Sequence, residues 1–254
     1  MTEPRDPPGA TRRPSSRRPN GPQRPRTVLT LDAIVSRACA ILDREGVDAL
    51  TLRRLAGDLG VGVTSMYWHI DDKPELLDLC FRATFEPVVH DVLARPIDPA
   101  DWRTGLREML ADLFDAMENH PWLAELATVP QSPQAGGEAV TRIWDRIGTV
   151  LGSAGLDQER TFHAGSVLAG HLGSMGLVAA RNAYGADGLG SREQRLARRA
   201  DELAALDPAT YPFASKNAAM LRDHGEREQF LGGVDLILAG IATHLPHGDA
   251  PTTA

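Results

Sequence analysis

The sequence predicts an all-α protein, with a small three-helix bundle near the amino end and a larger helical domain after it. Three observations carry that prediction. Apolar residues recur at steps of three and four along most of the chain; strand-like alternations of Val, Ile, Thr and Tyr are absent, with aromatics at only 5%; and Gly, Pro and capping residues divide the pattern into helix-length pieces. A chain of 254 residues with ordinary apolar content buries one large core or two smaller ones.

Residues 1–29 set Arg5, Arg12, Arg13, Arg17, Arg18, Arg24 and Arg26 against Glu3 and Asp6, with Pro, Ser and Gly between. So little of this stretch is apolar that burial does not offset ordering entropy. It is expected to be a disordered basic arm, either a solubilising tail or a segment that follows phosphates or enters a minor groove. The chain carries −7 overall, with +5 in its first 30 residues and −12 in the rest. An acidic chain argues against a nucleic-acid partner, but this distribution removes the objection.

Residues 30–75 read as the bundle. Thr30 caps a helix whose Leu31, Ile34, Val35, Ala38, Ile41 and Leu42 mark one buried face, and Gly46 ends it. Thr51 caps a second, short helix, and Gly60 stands where a left-handed stop is cheapest. The chain restarts at Val63 and runs to His69. Met66 and Ile70 face inward, while Thr64, Ser65, Tyr67, Trp68 and His69 are left outside. Helices this short are marginal alone, so Leu55, Ala56 and Leu59 must lean on the first helix. Two short helices joined at a glycine bend, with exposed hydroxyls and rings on the second, suggest a helix-turn-helix recognition surface.

Residues 76–246 read as the larger domain, followed by a flexible tail at 247–254. Asp72 caps the linking helix, with Pro74 in its first turn and Glu75 placed to close a capping box; Pro87 marks a kink or break. Trp102, Leu106, Met109, Leu110, Leu113, Phe114 and Met117 form an amphipathic helix stopped near Pro121. Val129 to Gly137 reads as a loop, and Val140 to Leu151 as another helix. Leu156 to Arg181 is a long helix rich in glycine. Each interior Gly costs up to about 1 kcal/mol relative to Ala, which close approach of a backbone or ligand would offset. Tyr184 to Ser191 reads as a flexible connection, Arg192 to Leu206 as a charged helix, and Asp207-Pro208 as a turn. Phe230 to Leu245 is apolar around much of its circumference and needs partners on two sides. It is expected to pair, with the Leu156 helix, against their copies in a twofold dimer.

Several function classes drop out. No phosphate-binding glycine loop, no GxSxG, no paired carboxylates and no nucleophile beside a base point to an enzyme. His163 and His171 lie off one helical face with no carboxylate or cysteine at ligand spacing, so no metal and no cofactor is expected. Cys39 and Cys80 lie far apart and read as small core residues. The charged start is not followed by an apolar run, and no stretch approaches the ~20 apolar residues of a membrane span. The expectation is a cytoplasmic protein without a membrane partner.

Residues 30–81 resemble the DNA-binding domain of the tetracycline-repressor (TetR) family. The resemblance rests on a helix ending in EG, then ALTLRRLAGDLGV, TSMYWHI and DDKPELL. After residue 100 it extends only to helix order and pieces such as AGHLGSMG. The resemblance implies that Thr51 and Arg53 reach DNA from the first helix of the motif, and Thr64, Ser65, Tyr67, Trp68 and His69 from the second. Lys73 would hold a phosphate at the start of the next helix. The chemistry agrees, since Arg makes a bidentate fork with guanine, and hydroxyls and ring edges suit phosphates and the thymine methyl. Arg54 suits a surface ion pair as well as a DNA contact and is left out. Leu52 and Thr64 stand where tetracycline repressors have Thr and Pro, so a different operator is expected.

Met109 and Ala127 stand where those repressors have a polar Asn and a metal-binding His, which disfavours a chelated drug–magnesium complex. The implied ligand site is an apolar cavity lined by Met109, Leu113, Phe114, Met117, Trp122, Trp144, Phe162, His171 and Met175. The resulting expectation is a homodimeric repressor, released from a palindromic DNA operator by a small, largely apolar effector. The alternative is a ligand-independent DNA-binding activator or scaffold built on the same motif.

Overall fold

The computed structural model describes residues 29–128, 135–184, 191–222 and 225–245. Among them are eleven α-helices, a short 3-10 turn and no strand. The predicted arm at 1–29 falls almost wholly outside these residues, as do the tail at 247–254, most of the Val129–Gly137 loop and most of the Tyr184–Ser191 connection.

Helix α1 (Leu31–Glu45) starts where Thr30 accepts a hydrogen bond from the Ala33 amide and ends at Gly46. Helix α2 (Leu52–Leu59) is capped by Thr51, whose hydroxyl accepts from the Arg54 amide. Gly60 follows in the left-handed region at φ 68°, and the Val61 amide bonds back to the Ala56 carbonyl. A side chain would strain that turn. Helix α3 is only Val63–Met66, continued by a turn in which the His69 and Ile70 amides both bond to the Met66 carbonyl. Leu55, Ala56, Met66 and Ile70 close the bundle core against Ile34, Ala38, Ile41 and Leu42 of α1.

Helix α4 (Lys73–Ala94) joins the two parts. Asp72 caps it as expected, but the Glu75 carboxylate reaches back to the Asp71 amide, one residue before the cap. No break occurs at Pro87; the helix continues to Ala94. Proline removes one backbone bond there, while Phe85, Val89 and Val92 stay buried on either side and hold the rod in place. Leu76, Leu77, Cys80 and Phe81 pack into the bundle, so one continuous core runs along α4 into the larger domain.

That domain is arranged around α5 (Trp102–Asn119), which packs on α4 and on four further helices: α6 (Trp122–Thr128), α7 (Ala135–Ser153), α8 (Gln158–Ala183) and α11 (Glu226–Ala242). Two elements went unread in the sequence. Helix α6 lies beyond the expected stop at Pro121, and α10 (Pro212–Arg222) pairs with α9 (Arg192–Ala204) where only a turn was expected. The glycines of α8 and α11 permit close approach at two places. A Cβ on Gly176 would stand 2.9 Å from the Met117 sulfur, and one on Gly233 would stand 2.4 Å from Nε2 of His171. Gly170, by contrast, faces open space.

Candidate nucleic-acid interface and its coupling to the larger domain

Burial sorts the residues around α3 into two sets. Met66 and Ile70 are buried, whereas Tyr67 is 55% and Trp68 86% exposed. Thr51, Arg53, Thr64 and Ser65 are exposed and His69 half-buried. Tyr67 and Trp68 together set two large rings side by side on the surface, and such contiguous exposed ring surface is more informative than a single exposed side chain. Arg53 makes no ion pair or hydrogen bond among the described residues, leaving its guanidinium fork open. Arg54 is the opposite case. Its guanidinium grips Glu45 at 2.5 and 2.8 Å and is spoken for. Lys73 is half-buried, and its ammonium donates to the Val47 carbonyl at 2.8 Å; two of its three donors remain for an anion. An Arg37–Asp58 pair at 2.6 Å ties α1 to α2 and fixes the base on which this face stands.

The face is joined to the larger domain by a group of hydrogen bonds. The Asp43 carboxylate of α1 accepts from the Trp122 indole N–H at 2.7 Å and meets Nδ1 of His120 at 2.8 Å. The Tyr184 hydroxyl donates to the Leu42 carbonyl at 2.8 Å and accepts the Trp122 amide at 3.1 Å. Its ring lies against Gly46, where a Cβ would sit 3.4 Å away. Burial pushes the Tyr184 hydroxyl above its ordinary value, so it stays protonated and able to donate. Tyr184, expected at the start of a flexible connection, is instead an anchor. Asp43, His120 and Tyr184 were not legible as a site, because their partners come from distant parts of the chain.

The residues expected to line one cavity divide among several environments. Met109, Leu113, Phe114 and Met117 share the buried face of α5. Phe114 stacks on Phe230 at 4.3 Å, and His171 stacks on the same ring at 5.2 Å with Nε2 3.0 Å from the Phe230 carbonyl. Met175 is half-buried against this core. Trp122 is fully buried but turns its indole to Asp43. Trp144 and Phe162 are partly exposed and meet edge to face at 5.9 Å, lining a surface groove between α7 and α8. A second groove lies between α8 and α11, lined by Leu156, His163, Val167, Leu236 and Ile241. Among the described residues no cluster of His, Cys, Asp and Glu could hold a metal ion, and no helix is long and apolar enough to cross a membrane.

A helix-turn-helix bundle presenting an open aromatic and hydroxyl face, carried on a larger helical body, defines a transcriptional regulator. Residues 95–245 match the family of tetracyclin repressor-like C-terminal domains. An HTH-type transcriptional regulator of Saccharopolyspora erythraea is 33% identical over 227 residues, covering 89% of each chain. The HTH-type transcriptional repressor DrrR1 of Streptomyces coeruleorubidus is 31% identical over 160 residues, 62% of this chain and 56% of that protein. Among solved structures, the TetR regulator SCO7222 of Streptomyces coelicolor superposes with a TM-score of 0.67 at 32% identity, covering 86% of this chain and all of that one. ActR of the same organism, solved with actinorhodin, superposes at 0.63 and 29% identity, covering 86% of this chain and 99% of that one. The chain belongs to the tetracycline-repressor family. It is a DNA-binding transcriptional regulator, not an enzyme.

Proposed function

We propose that this regulator is a homodimeric repressor that leaves a palindromic operator when a small, largely apolar effector enters its larger domain. The observation that carries the DNA half of this reading is the pairing of buried Met66 and Ile70 with exposed Tyr67 and Trp68. It fixes a short helix rigidly while leaving rings and hydroxyls outward. Thr64, Ser65, Tyr67, Trp68 and His69 enter the groove, Arg53 and Thr51 reach it from α2, and Lys73 holds a phosphate. Two such faces, related by a twofold axis, read half-sites about one helical turn or a multiple apart, ~34 Å per turn.

The dimer forms through α8 and α11. Val167 is 52% and Leu236 77% exposed on either side of their groove, an apolar face with no cover in the single chain. The effector enters among the apolar side chains of Met109, Leu113, Phe114, Met117, His171 and Met175, past the outer groove of Trp144 and Phe162. Support comes from the apolar character of this core and from ActR, whose structures hold actinorhodin and (S)-DNPA. The groove beside Trp144 and Phe162 holds about 260 Å³, slightly below the ~300–1,000 Å³ of typical ligand sites. Release then needs only a preference for the non-binding spacing; ~5.5 kcal/mol carries the equilibrium from almost all bound to almost all free.

Selection of duplexes from random-sequence DNA by the full chain tests the reading. Enrichment of an inverted repeat, with half-site centres one turn or a multiple apart, is expected. Failure to enrich any repeat would remove it.

A further inference from the structure

Cys39 and Cys80, far apart in sequence, meet where α1 crosses α4. The Cys80 sulfur lies 3.9 Å from the carbonyl of Val35, one turn before Cys39. The Cys39 sulfur lies 3.7 Å from the Thr84 hydroxyl, one turn beyond Cys80. These two reciprocal contacts place Cys39 and Cys80 side by side at the helix crossing. Both are free. Both belong to the core as expected, Cys80 within it and Cys39 packed against it; what sequence distance concealed is that the helix crossing brings them together.

The two sulfurs are not equivalent. Cys80 is fully buried, while Cys39 keeps part of its surface exposed. The hydrogen bond with Cys80 brings the Cys39 thiol down to about 7; burial and nearby Asp43 oppose the shift, and Thr84 and His120 assist it. The same bond, together with burial, pushes Cys80 up. The shifts favour the thiolate at the outer sulfur and the protonated form at the inner one. A partly exposed thiolate beside a protonated resolving thiol is the arrangement that reacts with peroxides. Two cysteines serving only as small core fillers would require neither the partial exposure of one nor their meeting at the same crossing.

We propose that Cys39 and Cys80 form an oxidation site at which a hydroperoxide converts the two thiols into an intramolecular disulfide pinning α1 to α4. The Cys39 thiolate attacks the outer peroxide oxygen. An S–O bond forms, the O–O bond breaks, and the alkoxide or hydroxide that leaves takes a proton from water, giving Cys39 sulfenic acid. The Cys80 sulfur then attacks the Cys39 sulfur. The S–S bond forms as the S–O bond breaks, and the departing hydroxyl takes the Cys80 proton and leaves as water. Two electrons pass from the thiol pair to the peroxide, yielding one disulfide, one alcohol (water, for hydrogen peroxide) and one water. Disulfide geometry requires an S–S distance of ~2.05 Å, so the helices must close slightly. The closure acts at a sensitive place, since Asp43 lies one turn beyond Cys39 on α1 and accepts the bonds from His120 and Trp122.

The test treats the full chain at neutral pH with one equivalent of hydrogen peroxide, then counts thiols after denaturation and maps peptides by mass. Expected are the joint loss of both thiols, a chain mass lower by two hydrogens, a single peptide pair joining Cys39 to Cys80, and recovery with dithiothreitol. In Cys80→Ala, dimedone should trap sulfenic acid on Cys39, whereas Cys39→Ala should leave Cys80 reduced. Alkylation of Cys39 by iodoacetamide in the unaltered chain should reach half its maximal rate near pH 7, moving towards the ~8.5 of an ordinary thiol in Cys80→Ala. Two thiols persisting, sulfenic acid accumulating on Cys39 in the unaltered chain, or a disulfide between chains would each overturn the proposal.

Discussion

Replacing Tyr184 with Phe tests whether the larger domain holds the bundle through its hydrogen-bonded tether. The hydroxyl makes two bonds, accepting the Trp122 amide at 3.1 Å and donating to the Leu42 carbonyl at 2.8 Å. Each ordinary hydrogen bond contributes a net ~0.5–1.5 kcal/mol, so the loss lies between about 1 and 3 kcal/mol. The two losses are unequal. The Leu42 carbonyl still accepts the Gly46 amide at 2.9 Å, while the Trp122 amide stands in the first turn of α6, where no intrahelical acceptor exists. One orphaned donor and one half-satisfied acceptor place the expected change near 2 kcal/mol, a shift of about 30-fold in the folded-to-unfolded ratio. Urea unfolding of both proteins at one protein concentration measures it, since dimer stability depends on concentration. An unchanged slope with an earlier midpoint is expected. A loss below ~0.5 kcal/mol would mean that the tether carries no load, and the coupling through Asp43, Trp122 and Tyr184 would fall with it.

Three further outcomes follow from the same geometry. Gly233→Ala places a methyl 2.4 Å from His171 Nε2 and 2.6 Å from Cε1, so α8 and α11 must part or the ring must leave Phe230; a destabilisation of about 1–3 kcal/mol is expected for such overpacking, and thermal unfolding checks it. Leu236→Asp puts a charge on the exposed apolar face of α11 and should yield monomers by light scattering with helicity intact by circular dichroism; a persistent dimer would place the interface elsewhere. Burial, with Asp48 nearby, pushes the Glu125 carboxyl above its usual range. Folding therefore favours its protonated form, and that stabilisation is full below the unfolded value of ~4.3 and fades as pH rises through the folded one. Glu125→Gln, neutral throughout, should melt higher than the parent at pH 7 and match it near pH 4; the reverse order would refute the sign.

Much of the bundle was legible because its signals are local. Thr30, Thr51 and Asp72 cap helices wherever a free hydroxyl or carboxylate precedes an apolar stripe, and Gly60 is readable as a left-handed stop without knowing its neighbours. The in-or-out division of Met66 and Ile70 against Tyr67 and Trp68 followed from spacing alone. Helix α6 escaped because seven residues give too few turns for periodicity to show. Helix α10 escaped for a different reason, since Phe213 and Met220 are exposed and Ala218 is its buried residue. The tether was invisible because an aspartate and a tyrosine near helix ends look like solvated surface until the fold brings Leu42 and Tyr184 together. The apolar stripe of α5 reads equally as core or as cavity lining, and only packing shows Phe114 stacked on Phe230 while Trp144 and Phe162 look outward.

In the proposed function, the face built from α2 and α3 reads DNA. The direct measurement is the affinity of Arg53→Ala and Tyr67→Ala for the duplex selected by the parent chain, at a fixed salt concentration and with a scrambled duplex alongside. Arg53 has an open guanidinium and Tyr67 an exposed ring, so neither change should disturb the fold, and circular dichroism should superpose on the parent's. A loss of about 1–3 kcal/mol, ~5- to 150-fold for the selected duplex and far less for the scrambled one, is the expected result. Parent-like affinity in both variants would show that DNA is read by some other surface.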